Sequence, residues 1–378
     1  MTMADQDLNI TIAERNLAGN PIIASMYLGV GSGRYRIVEN TTNIVVYEGI
    51  VGVLGQQVSV DISQFFENDR KLAGVHSYII CNVDENNANI NAQPFLVFGG
   101  GISKLLQRKL AAAQTNVFTW KLKNVNKNFF LSTRTNNRLI TIPEDELLPL
   151  KYYAQGLNFT VKSNGETLAT YNHTTDVTEN VQSIDFNALR LSAVTSHNKL
   201  ISVFDIITDT GGYACTILIT EVTRKNDYFL KFINSWGVFE KIAIEGMVDY
   251  NPTFSEPEDI AKWDAVIADF VSVPKRKTIT SVYNAEMGYK TADERMFLID
   301  AILSEECYLA ANDAEYEVKL KTDSGIFQST DNAPKSISIT LELIDMDDMY
   351  SAILVAPDEI LGTSESEIVT ANDFKILV

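Results

Sequence analysis

The sequence predicts a mainly β protein with some α: two tandem, related β-sandwich-like domains, each with an associated helix, and a small C-terminal α+β domain. Three observations lead there. Residues 1–98 are a succession of short runs rich in valine, isoleucine and tyrosine (PIIASMYLGV, RYRIV, NIVVYEGIV, QVSVDIS, SYIICNV, PFLVF), broken by turn residues as in an antiparallel sandwich or barrel. Sliding the chain along itself by 124 positions sets Tyr35, Asn40, Tyr47 and Asp61 against Phe159, Asn164, Tyr171 and Asp185. Beyond residue 274, strand-like runs surround a single helical segment. The expected domains are 1–140, 141–273 and 274–378, in keeping with a 378-residue chain at roughly 100–200 residues per domain.

Taken in order, Val58, Val60 and Ile62 alternate with polar residues and point to one face of a strand. After Gly101 the period changes, and Ile102, Leu105, Leu106, Lys109 and Leu110 take helical spacing. The repeat places RYRIVEN over NFTVKSN, VVYEG over LATYN, VSVDISQFF over QSIDFNALR and YIIC over SVFD. It also places the helix after Gly101 over residues 227–237, so each unit is expected to run from sandwich to helix to returning strand. Ser255, Pro257 and Glu258 then supply helix-start chemistry, and Ile260, Trp263, Ile267 and Phe270 the buried stripe of a connecting helix. In the last region KTITSVYNAEMGY is strand-like, and Thr291 with Glu294 caps a helix carrying Met296, Leu298, Ile299 and Ile302. The strands YEVKLKT and SISITLELI follow. The acid-rich C-terminal residues are expected to form an arm that orders against a partner.

The composition leaves little for chemistry. Cys81, Cys215 and Cys307 are far apart and lack C-x-x-C spacing, so neither a disulfide framework nor a zinc site is expected. Cys81 and Cys215 read as small apolar residues of buried strands. His76, His173 and His197 keep neither H-E-x-x-H nor G-x-S-x-G company. Gly99, Gly100 and Gly101 lack the full phosphate-loop spacing and read as a flexible turn into a helix. Asp345, Asp347 and Asp348 lack the glycine and closing glutamate of a calcium loop and read as a solvated loop. No pair among the 49 acids stands out as a glycosidase pair. The expectation is a non-enzymatic protein with no catalytic residues, no metal and no cofactor. With no basic-then-apolar leader and no run near ~20 apolar residues, it is expected to be made in a cytoplasm and to span no membrane.

The net charge of -18 argues against a surface built throughout to grip phosphates, yet it is unevenly spread. Residues 1–142 carry 13 basic and 10 acidic side chains, so the rest of the chain carries a net -21. No acid lies between Asn86 and Pro143, where Lys104, Arg108, Lys109, Lys121, Lys123, Lys127, Arg134 and Arg138 fall. Interleaved with Phe118, Trp120, Phe129 and Phe130, this stripe has the ingredients of a single-stranded nucleic-acid groove. The plainer reading turns the aromatics to the core and the cations to water. A third reading makes the eight cations a subunit interface that meets the acidic C-terminal region of another copy.

At NPI (20–22), VDIS (60–63), GGISK (100–104), FFLSTR (129–134), ITIPEDELLPL (140–150) and FLKFINSWGVFE (229–240), the chain resembles structural proteins of tailed phages and prophages of the Bacteroidetes, including crAss-like phages. The similarity extends to the MGY turn, helix and SEECYL (304–309) of the last region. The chain departs from the family phrases at Phe232, where tryptophan is usual, at Val238, which replaces a second glycine, and at Pro143. The resemblance implies a virion component of the tail or neck that forms a homo-oligomeric ring or hub, contacts other tail or neck proteins and has at most passing contact with DNA. It carries over no catalytic residue. The alternative is a distal-tail adaptor in which Trp120, Trp236 or Tyr289 stacks on the sugars of a cell-surface receptor, against the plainer reading of each as a core aromatic.

Overall fold

The computed structural model describes residues 8–28, 32–52, 55, 57–71, 74–114, 117, 130–134, 138–154, 157–173, 180–197, 200–209, 212–224, 227–255, 259–273, 278–311, 314–322, 335–344, 367–369 and 375–377. The acidic loop at 345–348 and most of the C-terminal residues lie outside these. The chain is mainly β with some α. It divides into two compact units, one of Met1–Val222 with Ile233–Glu240, the other of Thr223–Phe232 with Lys241–Val378.

The first unit opens with β1 (Asn9–Ile12), β2 (Arg15–Leu17), β3 (Ile23–Tyr27), β4 (Ser32–Glu39), β5 (Val45–Gly52) and β6 (Gln57–Asp61). A 3-10 turn and the short helix α1 (Glu67–Arg70) lead to β7 (Val75–Val83) and β8 (Asn89–Phe98), and α2 (Lys104–Ala112) follows. The strands form a five-stranded sheet in the order β2-β8-β7-β4-β5 and a three-stranded sheet in the order β1-β3-β6. Alternate residues of both sheets enter one core: Ile10, Ala24 and Met26 from the smaller, Tyr35, Ile37, Ile80, Phe95 and Val97 from the larger. Phe66, from the turn before α1, sits edge-on to Tyr78 and Phe95 within it.

The same plan recurs in β9 (Leu139–Pro143), β10 (Leu150–Tyr153), β11 (Asn158–Ser163), β12 (Glu166–Asn172), β13 (Val181–Ile184), α3 (Phe186–His197), β14 (Val203–Thr208) and β15 (Tyr213–Thr220). The five-stranded order is β9-β15-β14-β11-β12, the first sheet's order repeated, and β10 pairs β13 as β3 pairs β6. Both sheets have one parallel pair, β2 on β8 and β9 on β15. The first residues of β2 and β9, of β6 and β13, and of β8 and β15 each stand 124 apart. Even the bulge recurs, between Ile37 and Val38 and between Val161 and Lys162. Tyr35 packs on Tyr47 with centroids 5.8 Å apart, and Phe159 stacks on Tyr171 at 4.9 Å.

The repeat ends sooner than the sequence suggested. Residues 104–112 are helix, whereas Phe229–Ile233 is strand, so the expected match after Gly101 fails. The helix common to both copies lies instead inside the sandwich, between β6 and β7 and between β13 and β14. The shared aspartate starts it in each case. Asp61 Oδ1 accepts from the Ser63 and Ile22 amides at 3.0 and 3.1 Å, and Asp185 Oδ1 from the Ala188 amide at 3.0 Å.

The next strands, all in the second unit except for Ile233 and Phe239–Glu240, are β16 (Phe229–Ile233), β17 (Phe239–Ala243), β18 (Val248–Tyr250), β19 (Thr253–Ser255), β20 (Ile260–Asp264), β21 (Asp269–Val273), β22 (Thr278–Thr280) and β23 (Val282–Lys290). After them come α4 (Ala292–Ile302), β24 (Cys307–Ala311), β25 (Ala314–Lys321), β26 (Lys335–Leu343), β27 (Glu367–Val369) and β28 (Lys375–Leu377). A seven-stranded sheet in the order β17-β16-β24-β25-β26-β23-β18 buries Leu230, Phe232, Met287, Leu309, Ile337 and Ile339 against Phe297, Leu298 and Ala301 of α4. Thr291 and Glu294 form the expected capping box at the start of α4.

The connecting helix expected from Ser255 is absent, and a β-ribbon takes its place. β19 pairs with β22 and β20 with β21, with Trp263 opposite Phe270 and their rings edge to face, centroids 5.2 Å apart. A 3-4-3 spacing of apolar residues favours a helix only where a body receives the stripe. Here Trp263, Ile267 and Phe270 are all exposed, so cross-strand pairing decides the conformation.

Two outcomes follow from the aspartates. Asp185→Ala should lower unfolding stability by ~1 kcal/mol in urea titrations, with Asp185→Ser recovering most of it. Burial pulls the Asp61 carboxyl upward, but the amides of Ser63 and Ile22 outweigh it and hold its pKa below the usual 3.8. A depressed folded-state pKa stabilises above the unfolded value and is lost as pH falls through the folded one. Asp61→Asn should therefore be less stable than the parent at pH 7, and the gap should close as the pH drops below the carboxylate range.

Candidate functional site

Parts of several phrases behind the family resemblance come together within the first unit. Asn20 and Ile102 exchange two hydrogen bonds, Nδ2 to the Ile102 carbonyl at 2.9 Å and the Ile102 amide to Oδ1 at 2.8 Å. The Gly101 amide donates to the Ser235 carbonyl at 2.6 Å. Gly100 has φ +81°, and a Cβ there would lie 2.5 Å from the Trp236 backbone. Only glycine fits that approach, so Gly99–Gly101, expected to be flexible, is a packed crossing of main chains. Asn234 is its hub. Its Nδ2 donates to the Leu131 carbonyl at 2.9 Å and to Glu240 Oε1 at 3.0 Å, while its Oδ1 accepts from the Trp236 and Val238 amides at 2.9 and 3.0 Å. The Thr133 amide reaches the same Glu240 oxygen at 3.3 Å. Asn234, Glu240 and Trp236 are all buried, so their side chains tie backbone together, while Asn20 and Ile102 line an open hollow of about 270 Å³ with Arg15, Gln107 and Leu110.

The eight candidate interface cations separate into three groups. Lys104, Arg108 and Lys109 lie on α2 with exposed side chains, beside Leu105, which is 63% exposed. Ser103 starts this helix, its hydroxyl accepting from the Leu106 amide at 3.2 Å, and Leu110 anchors its inner face among Leu17, Phe98 and Trp236. Arg134 is turned inward, its Nη2 2.7 Å from Oε2 of the buried Glu146. It belongs to the fold and not to a surface, a correction to the expected stripe, because its guanidinium compensates the buried carboxylate of Glu146. Arg138 is half-buried at the entry to β9, with φ +74° and its carbonyl accepting from the Thr216 amide. Lys121, Lys123 and Lys127, like Phe118, Trp120 and Phe129, lie outside the described residues, and Phe130 is a core residue between Tyr152 and Phe186.

Other chemistry-bearing groups are dispersed. All three cysteines are free and buried, as expected of Cys81 and Cys215, and burial pushes the Cys307 thiol up to about 11, away from a reactive thiolate. His173 Nε2 lies 3.0 Å from the Tyr152 hydroxyl, and His76 is 4.0 Å from Asp69 in the other copy. Among the described residues no three His, Cys, Asp or Glu side chains gather as metal ligands, and no helix is long and apolar enough to cross a membrane. An open hollow of about 370 Å³ over the second unit's sheet is lined by Asp249, Asn284, Glu286, Lys321 and Thr340, without a histidine or cysteine. Of the aromatics considered for sugar stacking, Trp236 is core and Tyr289 is 76% exposed.

Sequence reasoning missed the most exposed apolar feature among the described residues, the tip of the ribbon. Val266 and Ile267 are 92% and 61% exposed between Asp264 and Asp269, with Trp263 and Phe270 exposed just behind. The signal was present in Asp264 and Asp269, which bracket a four-residue turn: Asp264 Oδ1 accepts from the Val266 amide at 2.8 Å.

No family model matches the chain, and no curated protein matches it. Among solved structures, a chain from "Structural insight into host cell surface retention of a 1.5-MDa bacterial ice-binding adhesin" aligns at 11% identity. The alignment covers 75% of this chain and 93% of that one with a TM-score of 0.15, a superposition that assigns neither fold nor function.

Arg134→Ala should destabilise the folded chain by roughly 3–5 kcal/mol in denaturant titrations, because it removes the cation 2.7 Å from the buried Glu146 carboxylate. Lys104→Glu and Arg108→Glu should change stability by no more than about 0.5 kcal/mol.

Proposed function

We propose that this chain is a non-enzymatic structural protein of a tailed-phage virion, a ring- or hub-forming component of the tail or neck assembled through contacts between its own copies. The observation that carries the reading is the junction around Asn234 and Gly100. Residues from several of the phrases that resemble phage structural proteins, Asn20, Gly100–Ile102, Leu131 and Asn234–Trp236, cross-brace main chains there. Residues that brace main chains in this way fix shape, which is what a scaffold of contacts needs. The duplicated sandwich supplies several faces for heterologous, head-to-tail contacts that close into a ring. The charge division supports the same reading, since a cationic α2 flank on a chain with -21 beyond residue 142 favours basic-to-acidic contacts between copies. The remaining partners are other tail or neck proteins, with passing contact to DNA along the exposed cations.

A second reading, a distal-tail adaptor that binds a cell-surface glycan, is favoured by one observation, the exposed ring of Tyr289. A glycan array on the purified protein separates the two: binding abolished by Tyr289→Ala supports the adaptor, and a blank array on ring-forming protein removes it.

The leading reading is tested by mass spectrometry and electron microscopy of purified particles, where the polypeptide should occur in fixed stoichiometry in the tail or neck. Its absence from mature virions would sink the proposal. In solution, Lys104→Glu with Arg108→Glu and Lys109→Glu should leave the monomer folded and weaken self-association at least tenfold at low salt, read by light scattering.

A further inference from the structure

The ribbon that replaced the expected helix has a single register. Val248 pairs with Ala285, Tyr250 with Tyr283, Thr253 with Thr280, Ser255 with Thr278, Ile260 with Val273 and Asp264 with Asp269. In each pair the residue numbers have the same sum, and four residues on each side separate the pair Ser255 and Thr278 from the pair Ile260 and Val273. The described pairs nearest the seven-stranded sheet and those at the tip thus share one pairing phase. Its outer described part, Ile260–Asp264 paired with Asp269–Val273, is up to ~16 Å long at ~3.3 Å per residue.

A two-stranded ribbon has two bare faces and two bare edges and is marginal in water by itself. This one carries aromatic and aliphatic side chains outward: Phe254, Trp263, Val266, Ile267, Phe270 and Val271 are all exposed. Such a ribbon gains by docking. Its tip defines what it docks on, an aliphatic pair, Val266 and Ile267, between the carboxylates of Asp264 and Asp269. The complementary surface is an exposed aliphatic residue ringed by cations, and the flank of α2 has that composition, with Leu105 among Lys104, Arg108 and Lys109.

We infer that the ribbon is an assembly arm whose tip docks on the α2 flank of a second copy of this chain. The inference rests on the self-assembly reading above and deepens it by naming both halves of the contact. Each copy carries one arm and one receiving flank, so the contact is heterologous and repeats from copy to copy until it closes or extends. The carboxylates steer and register the encounter, and burial of Val266, Ile267 and Leu105 holds it.

The test uses the full chain with a photo-crosslinking residue in place of Val266, mixed as equal parts of light and nitrogen-15-labelled protein. Crosslinks joining light to heavy chains and mapping to residues 104–112 are expected. Asp264→Lys with Asp269→Lys should weaken association at least tenfold, and combining it with Lys104→Glu and Arg108→Glu should restore a large part. Asp269, Lys104 and Arg108 are exposed and Asp264 loses one turn hydrogen bond, so melting temperatures should stay within a few degrees of the parent. Crosslinks within one chain, crosslinks to another surface, or unchanged association of the arm variant in protein that still assembles would overturn the arm and leave the self-assembly reading standing. A parent protein that stays monomeric at all concentrations would overturn both.

Discussion

The first unit depends on one crossing of main chains. Gly100 and Gly101 lie against the Ser235 and Trp236 backbone so closely that no side chain fits between them, and Asn234 satisfies the polar groups that this approach buries. Burying unpaired amides and carbonyls is expensive, so the crossing exists only because one asparagine side chain meets four partners at once. From this point Leu131, Thr133 and Glu240 are placed directly. Asn20 is tied in through Ile102, and Asp61 reaches the same strand start through the Ile22 amide.

Around it the chain uses one supersecondary plan twice. The copies share strand order, a parallel edge pair, a bulge in the same hairpin and an aspartate at the helix start. They differ where a side chain has been reassigned: Tyr35 and Tyr47 in one copy are Phe159 and Tyr171 in the other, and a short helical turn in one is the twelve-residue α3 in the other. Two sandwiches of one plan therefore keep one framework while differing in the side chains and helix length they build on it.

Charge follows the same logic. Of the cations that looked like one stripe along the chain, Arg134 compensates an interior carboxylate while those of α2 remain exposed. Sequence proximity put them together, and the fold gave them opposite roles. The β-ribbon shows the converse, since its apolar residues have the spacing of a buried helix face and lie open at the surface instead.

What the sequence by itself determined is the part set by local periodicity and self-similarity. The alternation of Val58, Val60 and Ile62 marked a strand, Thr291 with Glu294 marked the start of α4, and the 124-residue repeat marked the duplicated sandwich, because each depends on neighbours close along the chain or on internal comparison. The burial of Cys81 and Cys215 was legible for the same reason. Tertiary structure alone decided the rest: that Ile260 to Phe270 is a ribbon, that Arg134 points inward to Glu146, and that the phrases around Asn20, Gly100, Leu131 and Asn234 meet in one junction. Each of these turns on whether a distant segment arrives to receive a side chain or a carbonyl. A residue 82 or 103 positions away leaves no trace in a local pattern.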